Sequence, residues 1–333
     1  MSNLKKILMD KKACKSIWFM RQAGRYLPEF REIRSKNNNF INLCLDSKLS
    51  SEITLQPIKR FDLDSAIIFS DILMVPFALG QNVKFVKNEG PELSELNLNL
   101  FLNKTNEEFY ETLKPVYKAI NLTRKKLNKE KSLIGFVGAP WTLMVYMLNL
   151  RNGKKIDLNR LNNKNLNLEI IFEKLIKFIN FHIKEQMKAG ADVVQIFDSW
   201  AGIIPEKNFN DFCIYPNKEI VKFCKKENIS NICFPKGIKD KYFDFVDNVK
   251  PNGINLDYEV NPIHARKKIK DVVVQGGMDP RVLLKSDDEI FKTATKYIEA
   301  FKDIPYVFNL GHGLLPETDP DKVRKLIKFY REH

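Results

Sequence analysis

The chain has 333 residues and a formal net charge of +14, from 55 Lys and Arg against 41 Asp and Glu. With 44% apolar residues it can build a large core and is too apolar to be disordered. Its most apolar stretch, 65–80, is interrupted by Asp71 and Pro76, which argues against a membrane-spanning helix.

In chain order, the N-terminus MSNLKKILMDKK has no apolar core for a secretory signal. The five cysteines (Cys14, Cys44, Cys213, Cys224, Cys233) are odd in number and hold no C-x-x-C. Reduced thiols and a cytoplasmic chain are expected. Residues 1–60 carry 13 Lys and Arg but only 5 Asp and Glu, so much of the positive charge is local and favours anionic ligands. No nucleic-acid recognition motif accompanies it, so neither nucleic acid nor membrane is expected as a partner.

Short β-branched or aromatic runs then alternate with amphipathic stretches. The strand-like runs are Ile17–Met20, Ala66–Phe69, Leu133–Val137, Val193–Phe197, Ile232–Phe234, Gly253–Leu256, Val272–Gln275 and Tyr306–Asn309. Between them, Leu168 to Lys188 places Ile171, Leu175, Phe178 and Ile179 on one helical face before Gly190 breaks the period. Near the end, Asp319 is a helix cap, Pro320 the first helical residue, and Val323, Leu326, Ile327 and Tyr330 form the apolar stripe. Eight such units predict an α/β fold, a single (β/α)8 barrel domain over residues 1–333. A doubly wound sheet is the alternative, but no G-x-G-x-x-G or P-loop follows any strand.

Barrel chemistry belongs at the C-terminal strand ends. Arg21 and Arg25 follow the first run, Asp71 the second, and Gly138-Ala139-Pro140-Trp141 the third. Asp198 and Ser199, Lys236, Asp257, Asp279 and His312 follow the rest in order. Arg21 and Arg25 are four apart, which on a helical turn aims both guanidiniums one way. Flanked by Trp18, Phe19, Met20 and Tyr26 they suit a carboxylate or phosphate; an exposed basic helix face is the alternative. Asp71 is either a helix cap or a site carboxylate that balances a developing cation. Tyr146 is either a core aromatic or a site hydroxyl, and Ser199 either a cap or a site group. His312, between two glycines, suits a phosphate loop, carboxylate binding or acid–base work. No His-x-Cys, H-E-x-x-H or clustered Cys/His spacing points to a metal.

Six blocks then resemble one family, the uroporphyrinogen decarboxylases: WFMRQAGRYLPEFR (Trp18–Arg31), LDSAIIFSDIL (Leu63–Leu73), GFVGAPWTLMVYM (Gly135–Met147), GADVVQIFDSWAG (Gly190–Gly202), QGGMDP (Gln275–Pro280) and FNLGHGLLPETDP (Phe308–Pro320). The resemblance covers essentially the whole chain. It implies the barrel, a homodimer, and no metal or organic cofactor. The reaction it implies converts uroporphyrinogen III, a cyclic tetrapyrrole with eight carboxylates, to coproporphyrinogen III. Four acetate arms lose CO2 and become methyls, a step of haem and chlorophyll biosynthesis. By resemblance Asp71 and Arg21 are the catalytic positions, with the proton donor left open between Arg21 and an ordered water. Arg21, Gln22, Ala23, Gly24, Arg25, Arg34, Asp71, Tyr146, Ser199 and His312 are the substrate-binding positions, and the backbone at Ala66 is a further contact.

The chain departs from the family pattern in three places. After Met147 the usual glycine-rich segment is replaced by LNLRNGKKIDLNRLNNKN, Gly277 stands in place of Asn, and Asn255 in place of Gly. The rival within the fold is a zinc-dependent thiol or corrinoid methyltransferase, disfavoured by the missing His-x-Cys. A non-catalytic porphyrin-binding protein is the rival outside catalysis, and it has no need of Asp71.

Overall fold

The computed structural model describes residues 2–12, 15–86, 90–152, 155–162 and 167–333; Cys14 and parts of the 148–165 segment lie outside them. Eight strands form one parallel sheet: β1 (Lys15–Ile17), β2 (Ser65–Ile67), β3 (Ser132–Gly138), β4 (Val193–Asp198), β5 (Ser230–Pro235), β6 (Gly253–Leu256), β7 (Val273–Gly276) and β8 (Tyr306–Phe308). The hydrogen-bonded order is β1-β8-β7-β6-β5-β4-β3-β2, with helices on the connections, as in a (β/α)8 barrel.

Only β1 and β2 share no ladder, and side chains close that seam. Ile17 N donates to Asp64 Oδ2 at 2.7 Å, Asp64 N donates to Ile17 O at 3.0 Å, and Gln22 Nε2 donates to Ser65 O at 2.9 Å. A buried carboxylate and amide thus satisfy backbone groups that a ladder would otherwise pair.

Inside the barrel, Trp18, Met20, Ile67, Ile134, Val193, Ile232, Phe234, Val273 and Val307 pack together. The N-terminal helix Asn3–Asp10 adds Leu4, Ile7 and Leu8 to this cluster. It plugs the N-terminal end of the barrel: Leu4 N donates to Ser132 Oγ at the start of β3, and Leu8 lies against Gly253 at the start of β6. A second, larger apolar layer joins the outer face of the sheet to the helices.

Among the apolar residues runs a polar layer. Trp18 Nε1 donates to Gln275 Oε1 at 2.9 Å, and Gln275 Nε2 donates to Gln195 Oε1 at 3.2 Å and Asn255 Oδ1 at 2.6 Å. Asn255, one of the departures from the family pattern, therefore has a bonding role in the interior. Gly277, another, has φ 114°, and a Cβ there would meet the Tyr297 ring at 2.6 Å, so glycine is required at this turn.

The helices at Leu168–Lys188 and Pro320–Glu332 match expectation, with Asp319 accepting from Asp321 N at 2.8 Å. Two expectations at the first strand fail. It runs Lys15–Ile17 rather than Ile17–Met20, and no helical turn carries Arg21 and Arg25, because the helix starts at Pro28 and runs to Lys36. Arg21 has φ 58°, in the left-handed region, so the chain leaves β1 through a turn. Gln22 Oε1 accepts from Phe19 N at 3.0 Å and Tyr26 Oη donates to Gln22 O at 2.8 Å, which fixes that turn.

Candidate active site

Arg21 leaves the first turn with its stem across Gly313: a Cβ on Gly313 would lie 2.4 Å from Arg21 Cδ. The glycine after His312 is thus the space the arginine occupies. Arg21 keeps water-accessible surface, yet protein surrounds it closely enough that burial holds its pKa below the usual arginine value, with Asp71 opposing and Arg25 adding to that shift. A group both wetted and hemmed in suits the wall of a ligand site.

Asp71 follows β2. One of its oxygens, Oδ1, accepts from Leu73 N at 2.8 Å, and the helix begins only at Met74. Asp71 therefore caps no helix: one oxygen fixes the turn before it, and Oδ2 has no hydrogen-bond partner among the described residues. Burial pushes its pKa up to about 6, against the Leu73 N–H and the field of Arg21. Arg21 and Asp71 are within electrostatic reach of each other but form no ion pair, so each keeps its charge available to a third group.

Tyr146 stands in the last turn of the helix Pro140–Met147, which Pro140 starts directly after β3. It is half-buried, and Asp71 and Arg21 both act on it. Its ring is 6.3 Å from that of Trp200, and Arg151 lies over both, 5.6 Å from the Tyr146 centroid and 5.7 Å from the Trp200 centroid. Arg151 also reaches Pro91 O at 3.4 Å, on the outer hairpin of Val83–Val86 with Gly90–Leu93.

His312 Nδ1 accepts from Gly313 N at 2.6 Å. Its neutral ring therefore carries the proton on Nε2 and presents a donor. Burial lowers its pKa to about 3, helped by Lys236 and Arg21, so the ring is neutral near pH 7. Ser199 is exposed in the turn after β4 and caps no helix.

The other five expected positions offer different groups. The Gln22 side chain is buried and spent on Phe19 N and Ser65 O, so only its backbone is free to meet a ligand. The N–H groups of Ala23, Gly24 and Arg25 make no hydrogen bond among the described residues, a row of open donors beside Arg21. Arg34 lies on the helix Pro28–Lys36, half-buried, with one guanidinium nitrogen on Asn37 O and its plane 6.0 Å from the Phe40 ring.

Three acids at the strand ends are used up by the scaffold. Asp198 accepts from Thr142 Oγ1 at 2.7 Å and Asn217 Nδ2 at 3.1 Å. Asp257 accepts from Gly237 N, Tyr242 Oη and Glu259 N, and Asp279 from Arg281. Sequence position alone did not separate these from Asp71. Arg151 and Trp200 were missed as site residues, since only the fold brings them over Tyr146. A basic residue five positions past Tyr146, where glycines are usual, was the available signal.

The family model for uroporphyrinogen decarboxylase (URO-D) matches residues 10–333. The chain belongs to the uroporphyrinogen decarboxylase family. It is 43% identical to the uroporphyrinogen decarboxylase of Orientia tsutsugamushi (strain Ikeda), over 95% of this chain and 94% of that protein. With the Rickettsia felis enzyme of that name the identity is 41%, over 95% and 92%. Membership carries a carboxy-lyase activity, uroporphyrinogen decarboxylation in tetrapyrrole biosynthesis. Among solved structures, a methyltransferase from Methanosarcina mazei superposes with a TM-score of 0.76 at 16% identity, covering 99% of this chain and 97% of that one. At that identity the likeness is one of fold. The methyltransferase alternative also finds no group of three or more His, Cys, Asp or Glu placed as metal ligands among the described residues.

Proposed function

We propose that the concavity between Arg21, Asp71, Tyr146, Ser199 and His312 holds uroporphyrinogen and that Asp71 and Arg21 drive loss of CO2 from its acetate arms. The observation that carries this is a half-buried carboxylate and a crowded but solvent-reached guanidinium that feel each other's charge without pairing. Such groups are costly alone and become favourable when a ligand of mixed charge sits between them.

The substrate is an anion at its arms and a donor at its centre. Arg21, Arg25 and the open N–H groups of Ala23, Gly24 and Arg25 suit the carboxylates. Asp71 Oδ2 suits the pyrrole N–H groups. Loss of CO2 needs an electron sink, and the pyrrole supplies it. A proton adds to the ring carbon next to the acetate-bearing carbon, and the ring becomes cationic. The CH2–CO2 bond breaks, its electron pair forms an exocyclic methylene, and the positive charge is neutralised. A proton then adds to the methylene carbon to give a methyl, and the ring proton leaves to restore the pyrrole. One proton has replaced one CO2. Asp71, fixed by Leu73 N–H, lowers the energy of both cationic stages without reorganising. Arg21 holds the leaving carboxylate, and Tyr146 and the Nε2–H of neutral His312 orient the neighbouring arms.

A homodimer and a cytoplasmic setting belong to the same proposal. The four described cysteines are unpaired and buried, which suits a reducing compartment. Among the described residues no helix is long and apolar enough to cross a membrane. Anaerobic incubation with uroporphyrinogen, followed by oxidation and chromatography, tests the reaction. Products with seven, six, five and finally four carboxylates are expected; an unchanged octacarboxylate overturns it.

A further inference from the structure

Lys236 follows β5, and its backbone is fixed on three sides. Its N–H donates to Asp198 O at 3.1 Å, its carbonyl accepts from Gly202 N at 2.9 Å, and the next N–H, of Gly237, donates to Asp257 Oδ2 at 2.6 Å. The turn is also pressed against its neighbour, since a Cβ on Gly202 would lie 2.5 Å from Gly237 O. The side chain has no comparable anchor. It is half-buried, and its amine makes no hydrogen bond and no ion pair among the described residues.

The acid best placed to pair with it is already engaged. Asp257 Oδ2 accepts from Gly237 N and Tyr242 Oη, and Oδ1 accepts from Glu259 N. What Lys236 feels beyond these acids is more positive charge. Burial lowers its pKa, Asp257 and Glu259 oppose this, and Arg21 adds to it, while Lys236 in turn helps keep His312 neutral. A structural lysine is placed where a carboxylate can reach it. This one is held, half-buried and unpaired, within electrostatic reach of Arg21 and His312, an arrangement that costs stability unless an anion completes it.

We propose that Lys236 is a substrate-contacting cation, which with Arg21 and His312 grips one carboxylate-bearing arm of the tetrapyrrole. The inference rests on the decarboxylase reading and adds to the binding set a residue outside the family positions carried over above.

The variants Lys236→Met and Lys236→Arg test it. A lost charge-assisted hydrogen bond raises KM for uroporphyrinogen by about 10- to 100-fold in Lys236→Met. Turnover at saturation changes by less than about threefold, and Lys236→Arg recovers most of the affinity, since a uniform binding contact moves KM rather than kcat. Thermal melting gives the readout a scaffold role cannot mimic: Lys236→Met melts at the same or a higher temperature, because a desolvated cation beside Arg21 is gone. A KM within twofold of wild type, or a lowered melting temperature with no recovery in Lys236→Arg, overturns the proposal. Binding of uroporphyrin, the oxidised octacarboxylate, by tryptophan-fluorescence quenching is read without turnover. Wild-type protein that does not decarboxylate sinks the decarboxylase reading, whereas equal uroporphyrin affinity in wild type and Lys236→Met sinks the lysine's role.

Discussion

At the N-terminal end of the barrel, Arg331 meets Asp64 at 2.9 Å and Asp62 at 3.3 Å, Lys131 reaches Asp62 at 3.4 Å, and Arg124 meets Asp192 at 3.0 Å. The groove nearby, lined by Arg60, Asp62, Arg324, Lys328, Arg331 and Glu332, mixes both signs. At the C-terminal end Arg21, Arg25 and Lys236 take part in no ion pair among the described residues, and Asp71 pairs with none of them. Both ends are equally part of the fold, so the contrast is one of purpose. Paired charges bring β1 and β2 together and settle the loops; charges left apart keep an electrostatic demand that a ligand fulfils. Variants at one end should therefore cost stability, and those at the other should cost activity.

The sharpest test of that division is Asp71→Asn. It keeps the acceptor for Leu73 N–H and removes the charge. We expect kcat to fall by about 10²- to 10³-fold, the scale of a lost transition-state electrostatic contact, with KM changed little. The acid limb should go with it. In wild type the working form is the ionised carboxylate, so activity falls as pH drops through about 6, where Asp71 takes its proton. A flat profile in the variant supports the role, and equal losses in kcat and affinity would demote Asp71 to a binding group. Stability should not suffer. Because burial raises the native pKa, ionising Asp71 opposes folding between its unfolded value and about pH 6 and stays a fixed cost above it, a cost the amide lacks.

Arg21→Gln comes next, with kcat/KM lower by about 100-fold. It also has a signed consequence. Arg21 opposes the burial that raises the Asp71 pKa, so its removal moves the acid limb above about 6. The same loss relieves His312, whose pKa rises from about 3. A pH–rate profile and titration of the His312 ring resonance measure both. A limb that stays in place separates Arg21 from Asp71 and breaks the idea of one shared site.

Asp64→Ala strikes the other end. It removes the acceptor for Ile17 N at the β1–β2 seam and one partner of Arg331. A loss of about 2–3 kcal/mol is expected for a largely buried pair whose arginine keeps Asp62, read as a lower denaturant midpoint. Activity per folded molecule should be unchanged, and a selective fall in kcat would erase the distinction between the ends.

Most of the barrel was legible because its signals are local. A buried parallel strand writes a short apolar run, and Asp319-Pro320 writes a helix start. Seven of the eight strands lie on the runs that predicted them, and the first is shifted toward the N-terminus to Lys15–Ile17. The turn at Arg21 was misread because a helical spacing of four says nothing of φ; a left-handed arginine is stabilised by Gln22 and Gly313, which are tertiary or local-loop effects. The strand-end acids illustrate the limit better. Asp71, Asp198 and Asp257 all stand at or after strand ends, but Asp198 meets Thr142 and Asn217 across the fold, and Asp257 meets Tyr242. Which carboxylate is spent on the scaffold depends on who stands opposite, and that is fixed only by packing.

Arg151 stands at the border of the two behaviours, and the smallest predicted effect belongs to it. It is bound into the structure through Pro91 O, and its guanidinium also lies over the rings of Tyr146 and Trp200. A cation–π contact of this kind contributes about 0.5–2 kcal/mol. If that energy holds the Tyr146 ring in place, Arg151→Gly should raise KM by about 3- to 10-fold and leave kcat nearly unchanged, with a melting temperature lowered by a few degrees for the lost Pro91 O and ring contacts. Trp200 reports on the contact directly. Trp18 and Trp141 are fully buried and Trp200 is not, so a change in tryptophan emission on mutation arises mainly at Trp200. An emission change without a KM change would assign Arg151 to the scaffold, with the paired charges of the opposite end. A KM change that Arg151→Lys largely recovers would assign it to the ligand, because an ammonium keeps the charge over the rings but loses the planar fork toward Pro91 O.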